Sequence, residues 1–488
     1  MNQIRTFVLV LAAMASSLAM GQQHLLYWGM ESRHVTPNDL LNGTYVGIHE
    51  GLDCWVFAGK KNLKHLVMTD QHLETLNVVD LPASNNARVL TAALDDHRAS
   101  IVVLDESQKR QTTILSYKVN LDSLTVIGGA ADTIGHFQYG KKDKCMVWAT
   151  TSPNGSLIGI IAIVQYNETK QYRTVISLHN ADMTPLWEKE FALGSMHDIF
   201  VTDQGRIVTL GAEADGAETH FIYNIISQEK SVSYDATVRT EPVRNLKLVN
   251  VIGSHIISTG LFKPMEMDDD TLQFGGTIAM SFDADSALIT GYVLNPFQNE
   301  DVNILYNKKT KRVQREQTVR HMKPVAYAPT SFGAVMAVGR NYIVDVQASN
   351  GQHDYTYHTV GLHCIAVDSL GHLLWVRNFR RNDIQDDEDD LLRVGLAEHD
   401  GKVCIVKSEH PKYPAIYDIA KDVKEWEAGD KSSLVLYTID ADKNVEKTIL
   451  ERKAKHTFLR AITRPDGSLA LFGCNGKKSR MGIVKSKE

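Results

Sequence analysis

The residues of this chain that could carry chemistry are scattered along it. There are 19 histidines and five cysteines in 488 positions. No histidine stands at metal-ligand spacing from another, and no G-x-S-x-G, H-E-x-x-H or phosphate-binding glycine loop occurs. A site must then be assembled by the fold from distant positions. The candidates are Arg88, His136, His197, Lys247, Arg393, His456 and Arg460, each near the start of a short apolar run. If those runs line a central funnel, these side chains converge and can recognise a carboxylate or a sugar. The simpler alternative is that they hydrogen-bond channel water.

Charge runs give a second set. Lys308, Lys309, Lys311, Arg312, Arg315, Arg320 and Lys323 place seven positive charges in sixteen residues of a chain whose net charge is -6. Such a local field suits docking of an anionic partner, and a solvated loop is the plainer reading. An acidic run at 386–390 makes Asp386, Glu388 and Asp390 weak candidates for calcium, which wants several oxygen ligands in a bent loop; the D-x-D-x-D-G spacing is lacking. A third stretch, 408–430, holds two prolines and three aromatics and reads as a rim or lid.

The elements that must position these residues are strands. Apolar alternation over five to eight residues, bounded by Gly, Asn, Asp or Pro, recurs along the chain, whereas helical periodicity is nearly absent. The strands group in fours, in units opening near Thr44, Arg88, Cys145, Asp198, Leu246, Ala334, Leu392 and Thr457. That predicts an all-β, single β-propeller of eight blades, with seven as the alternative. The last unit has only three strands, and His24 to Met30 (HLLYWGM) is an apolar strand with no unit of its own. A ring cannot leave a blade edge open, so the N-terminal strand is expected to complete the C-terminal blade. On this reading residues 295–329 form a basic insertion between blades 5 and 6, and 408–430 a rim insertion.

Two submotifs repeat. VTDQGRIVTLG, TRPDGSLALFG, AEHDGKVCIVK and TSPNGSLIGII join two apolar runs through a turn ending in Gly; ADMTPLWEKEF and VDSLGHLLWVRNF follow an Asp with L-W-x-x-x-F. The stretch DSLGHLLW at 368–375, with a following D-G hairpin, resembles the repeats of the quinoprotein-like β-propellers. That superfamily contains eight-bladed pyrroloquinoline quinone dehydrogenases and non-enzymatic scaffolds. The dehydrogenases cover their cofactor with an adjacent cysteine pair, and this chain has no Cys-Cys. The resemblance therefore implies a scaffold without a cofactor.

Composition bounds the rest. A pI near 6.3 and a net charge of -6 disfavour nucleic acid. Residues 1–21 carry Arg5, an apolar stretch from Phe7 to Met14, and small residues at Ala19 and Gly21, the pattern of a secretory signal peptide cut before Gln22. No later stretch is apolar enough to span a membrane as a helix. The mature domain, 22–488, is thus expected in a periplasm or outside the cell, with its cysteines buried or at most one pair bridged. The expected function is a non-catalytic scaffold with a protein or glycan partner; the alternative is a propeller enzyme acting on a glycan or small molecule at the central channel.

Overall fold

Each short apolar run pairs with its neighbour in the blade, because connections that are mostly two to five residues long hold consecutive strands antiparallel. The result is eight four-stranded antiparallel blades. In this computed structural model the described residues are 24–28, 43–58, 64–84, 86–191, 193, 196, 198–215, 218–238, 243–263, 273–286, 288–307, 319–347, 353–386, 394–410, 426–427, 432–452, 454, 457–464, 468–475 and 478–486. Blades 1 to 7 span 44–81, 87–138, 144–190, 198–238, 243–296, 322–386 and 394–451. Blade 8 spans 457–486 and takes its fourth strand from His24–Trp28, which pairs antiparallel with Lys478–Ser486, Leu26 opposite Val484.

The first strands of successive blades contact one another from blade 1 to blade 8, so they line the centre and the remaining strands fan outward. At Gly395 in blade 7 an added Cβ would lie 2.5 Å from the Ala461 Cβ of blade 8, which is how closely the inner strands approach there. Among the described residues nine apolar clusters fill the eight seams, two of them between blades 5 and 6. Phe221 and Tyr223 of blade 4 pack with Phe282 of blade 5, and Trp55 and Phe57 of blade 1 with Phe472 of blade 8. Trp187 of the L-W motif joins blade 3 to blade 4, and Trp375 and Phe379 join blade 6 to blade 7. The core is therefore distributed around the ring rather than held in one centre.

The turn chemistry follows the sequence. Asp400 and Gly401, at φ 50° and 68°, form the two-residue primed turn that a tight hairpin requires, and Glu50 and Gly51, at 49° and 81°, repeat it in blade 1. In the L-W motif Asp368 accepts the N–H groups of Leu370 and His372 at 2.9 and 2.8 Å, fixing the turn into the outermost strand. All five cysteines are free, and burial raises the thiol of Cys54 to about 12, that of Cys145 to about 11 and that of Cys404 to about 12. The bridged alternative is not formed.

Two boundaries differ from expectation. The fourth strand of blade 2 is Asp132–Gln138, not the run SLTVIGG: Gly128 and Gly129 adopt φ of 73° and 70° and end the Thr125–Val126 pairing after two residues. Blade 6 opens at Met322–Pro329, inside the stretch read as an insertion, and the helix Asn299–Leu305 occupies the start of that stretch. The helix is anchored, since its Val302 and Leu305 are buried with Phe297 and Val338. Beyond the rim stretch's first residues, Ser408 and Glu409, which end a blade 7 strand, Trp426–Glu427 adds a parallel pairing to the outer edge of blade 6 at Asp383 and Ile384.

Candidate functional site

The inner strands bulge where they meet the second strands in blades 1, 2, 5, 6 and 8. A bulge re-aims the side chains beside it, and two candidate residues flank one. Lys247 sets its ammonium 5.2 Å from the centre of the Tyr327 ring of blade 6. Arg460 donates to the Gly43 carbonyl of blade 1. Both tie one blade to the next. Tyr327 is itself pushed above the usual phenol range by burial and by the nearby Asp198 carboxylate, so it stays protonated.

Arg88 is exposed on the innermost strand of blade 2. His136 is a correction: it stands on the outermost strand of blade 2, within 3.3 Å of the Thr113 hydroxyl, because the strand that carries it is the fourth and not an inner one. His197, Arg393 and His456 lie outside the described residues, as do Lys308, Lys309, Lys311, Arg312 and Arg315 of the basic run and Glu388 and Asp390 of the acidic run; Asp386 ends a blade 6 strand. His136 is thus set apart from Arg88, Lys247 and Arg460, which stand on innermost strands.

The fold does assemble a constellation that spacing concealed. His49 closes the first strand of blade 1, His97 lies in the first hairpin turn of blade 2, and Asp122 lies in the turn after the third strand of blade 2. First and third strands end on the same face of the ring, so the three meet there. His49 Nε2 is 3.1 Å from Asp122 Oδ1, and His97 Nδ1 is 3.2 Å from the same carboxylate. His49 Nδ1 donates to the Asp96 carbonyl at 3.0 Å, and the two imidazole rings meet edge to face at 5.5 Å. The His49 side chain is only 5% exposed, against 63% for His97 and 52% for Asp122.

No family model matches the chain, and no curated protein matches it. Among solved structures it is similar to the WD40 domain of SCAP from fission yeast, at 10% identity over 94% of this chain and 97% of that one, TM-score 0.38. It is similar to polysaccharide lyase Uly1, at 8% identity over 84% and 92%, TM-score 0.38. It is also similar to prolyl oligopeptidase B from Galerina marginata, at 10% identity, TM-score 0.42, over 95% of this chain and 56% of that longer one.

A second concentration of charge is interior. Between the outer parts of blades 6 and 7, Glu409 pairs with Lys407 at 2.8 Å and with Lys447, and accepts the Tyr437 hydroxyl. Both ammoniums also face the Tyr437 ring. Burial alone would raise the Glu409 carboxyl, but the two lysines outweigh it and hold it down at about 2. The adjacent Arg381–Asp383 pair is 1% exposed on both sides. There burial wins, and Asp383 is pushed above its usual range against the pull of Arg381 and Lys407. A shallow pocket of about 260 Å³ opens between blades 4 and 5, with Arg206, Lys230 and Asp285 on its wall.

Proposed function

We propose that the protein is an exported, non-catalytic scaffold that binds an anionic protein or glycan partner beside blade 6. The observation that carries this reading is the build of that blade. Its second, third and outermost strands run to 15, 16 and 14 residues, where among the described residues no strand of the other blades exceeds 10. The extended part presents Ile343 and Val344 at 54% and 38% exposure. The described residues that flank the basic run belong to the same blade: the helix Asn299–Leu305 packs on blade 6, and Val319 is buried in the cluster that holds that helix. The described members of the basic run, Arg320 and Lys323, are exposed, and positive charge on a blade that also exposes apolar strand suits recognition of an acidic surface.

The inner candidates Lys247 and Arg460 support a structural use of the channel wall, since each holds a neighbouring blade. The resemblance of DSLGHLLW to quinoprotein-like repeats supports the scaffold branch of that superfamily. Export is supported by the leader pattern of residues 1–21 and by the ring's first strand, which begins at His24 just past the expected cut.

The test is affinity capture from the native envelope with the mature protein and with a variant lacking residues 308–318. The expected result is a partner set lost on deletion and weakened by salt. Equal capture by both forms rejects the basic run as the docking element. Mass analysis of the secreted form should return Gln22 as the first residue, and an uncleaved leader rejects export by this route.

A further inference from the structure

We propose that His49, His97 and Asp122 bind a divalent first-row transition metal, zinc being the reference ion, between the hairpin tips of blades 1 and 2. This assignment is independent of partner docking, which involves blade 6.

The first argument is donor chemistry. A carbonyl oxygen can only accept, so the contact of His49 Nδ1 with the Asp96 carbonyl at 3.0 Å puts the ring hydrogen on Nδ1. Nε2 then turns its lone pair toward the Asp122 carboxylate oxygen 3.1 Å away. Two acceptors at that separation repel unless a proton or a metal ion lies between them. A backbone carbonyl on the far ring nitrogen is also the usual way a protein fixes the tautomer and orientation of a metal-ligating histidine.

The second argument is distance. Zinc bonds of about 2.0–2.2 Å to imidazole nitrogen and carboxylate oxygen place ligand atoms about 3.0 Å apart in octahedral and about 3.5 Å apart in tetrahedral geometry. The separations of 3.1 and 3.2 Å fall in that span. The three ligand atoms all lie within 4.8 Å of one another. Two imidazoles and one carboxylate favour a borderline ion such as zinc over calcium or magnesium, which prefer all-oxygen sites.

The third argument is support. His49 is buried and held by the chain at a primed turn, whereas His97 and Asp122 are open to solvent. One ligand is thus pre-placed and two can adjust, and the solvent side leaves room for water or a ligand atom to complete the sphere. A bound ion would also cross-link blades 1 and 2.

The test uses untagged, metal-stripped protein titrated with cobalt(II) as a spectroscopic stand-in, then with zinc, alongside His97→Ala and Asp122→Asn. Both substituted side chains are exposed, so the variants should fold, and their metal-free melts check this. The expected result is one equivalent of cobalt with visible d–d absorption that zinc displaces, and binding weakened by more than about tenfold in each variant. Zinc should raise the melting temperature of the wild type only. Equal binding by the variants places the metal elsewhere and overturns the proposal. A wild type that binds no metal, but loses stability on either substitution, has a histidinium–aspartate ion pair here, which overturns it as well.

Discussion

The indole N–H of Trp28 donates to the Glu451 carboxylate 2.9 Å away, joining the N-terminal strand to blade 7 across 423 positions of sequence. The closing strand is therefore held on two sides. Its backbone pairs with Lys478–Ser486 in blade 8, and Leu26 and Trp28 pack on the cluster that blade 7 shares with blade 8. Gly482 is the seat for this ring, since an added Cβ there would lie 2.6 Å from Trp28 Cε3.

Trp28→Ala should destabilise the protein by about 3 kcal/mol, the lower end of the range for removing a large aromatic, because the ring is only partly buried. Deleting 24–28 should do more and promote association, since it bares a full strand edge on blade 8. Chemical denaturation and light scattering report both. Unchanged stability on deletion rejects the closure.

The other side of blade 8 meets blade 1 through a buried ion pair, Arg464 Nη2 to Asp53 Oδ2 at 2.6 Å, with side-chain exposures of 5% and 0%. The Tyr45 hydroxyl donates to Asp53 Oδ1 at 3.2 Å, and burial together with that carboxylate raises the phenol far above its usual range. Arg464→Met should cost about 3–5 kcal/mol, because it leaves a buried carboxylate without its cation. Adding Asp53→Leu should recover part of that loss. A single-variant cost no greater than that of the double variant rejects a coupled pair.

How far the fold was legible follows from these same residues. Alternation with period two and turns ending in Gly marked eight blades, and an orphan N-terminal strand facing a three-stranded last unit marked the closure. Blade 6's first strand was hidden because MKPVAYAP carries two prolines and reads as loop. Yet an innermost strand is an edge, where the missing N–H of Pro324 removes no ladder bond on its open side. The His49–His97–Asp122 constellation was invisible because its members lie 48 and 25 positions apart, in different hairpins. The only local signal is that each sits at a turn on one face, which becomes informative once the strand order is known. His136 was misplaced by one strand when the glycine pair at 128–129 was read as strand.

The helix before the basic run gives a third prediction. Asp301 accepts the Gln298 N–H at its own helix start and the Asn378 amide of blade 6, and lies 3.5 Å from the buried His363. Burial pushes its carboxyl up, but His363 and these hydrogen bonds outweigh that and hold it below the usual range. Asp301→Ala should destabilise by about 1–3 kcal/mol, since the part-buried Asn378 amide loses its acceptor and the buried His363 loses the neighbouring carboxylate. It should also raise hydrogen exchange across 299–305. Exchange unchanged there contradicts the anchoring role.

The interior charges between blades 6 and 7 predict a pH dependence with two opposing parts. Glu409 titrates at about 2 in the folded chain, below its ordinary 4.5. Between those values the unfolded state binds more protons, so stability is fully present above about pH 4.5 and falls as the pH drops toward 2. Asp383 has the opposite sign: its folded carboxyl is raised above the ordinary 3.8, the folded state binds more protons, and stability falls as the pH rises through that raised value. Glu409→Gln should therefore flatten the acid limb of stability against pH, while Asp383→Asn should remove the loss on the higher-pH side. Because Lys407 touches Glu409 and pulls on both carboxyls, the two variants should not be additive. Denaturant midpoints from pH 2 to 7 on both variants and their combination decide this. An acid limb unchanged by Glu409→Gln would mean that the lysines do not hold the Glu409 charge in the folded protein.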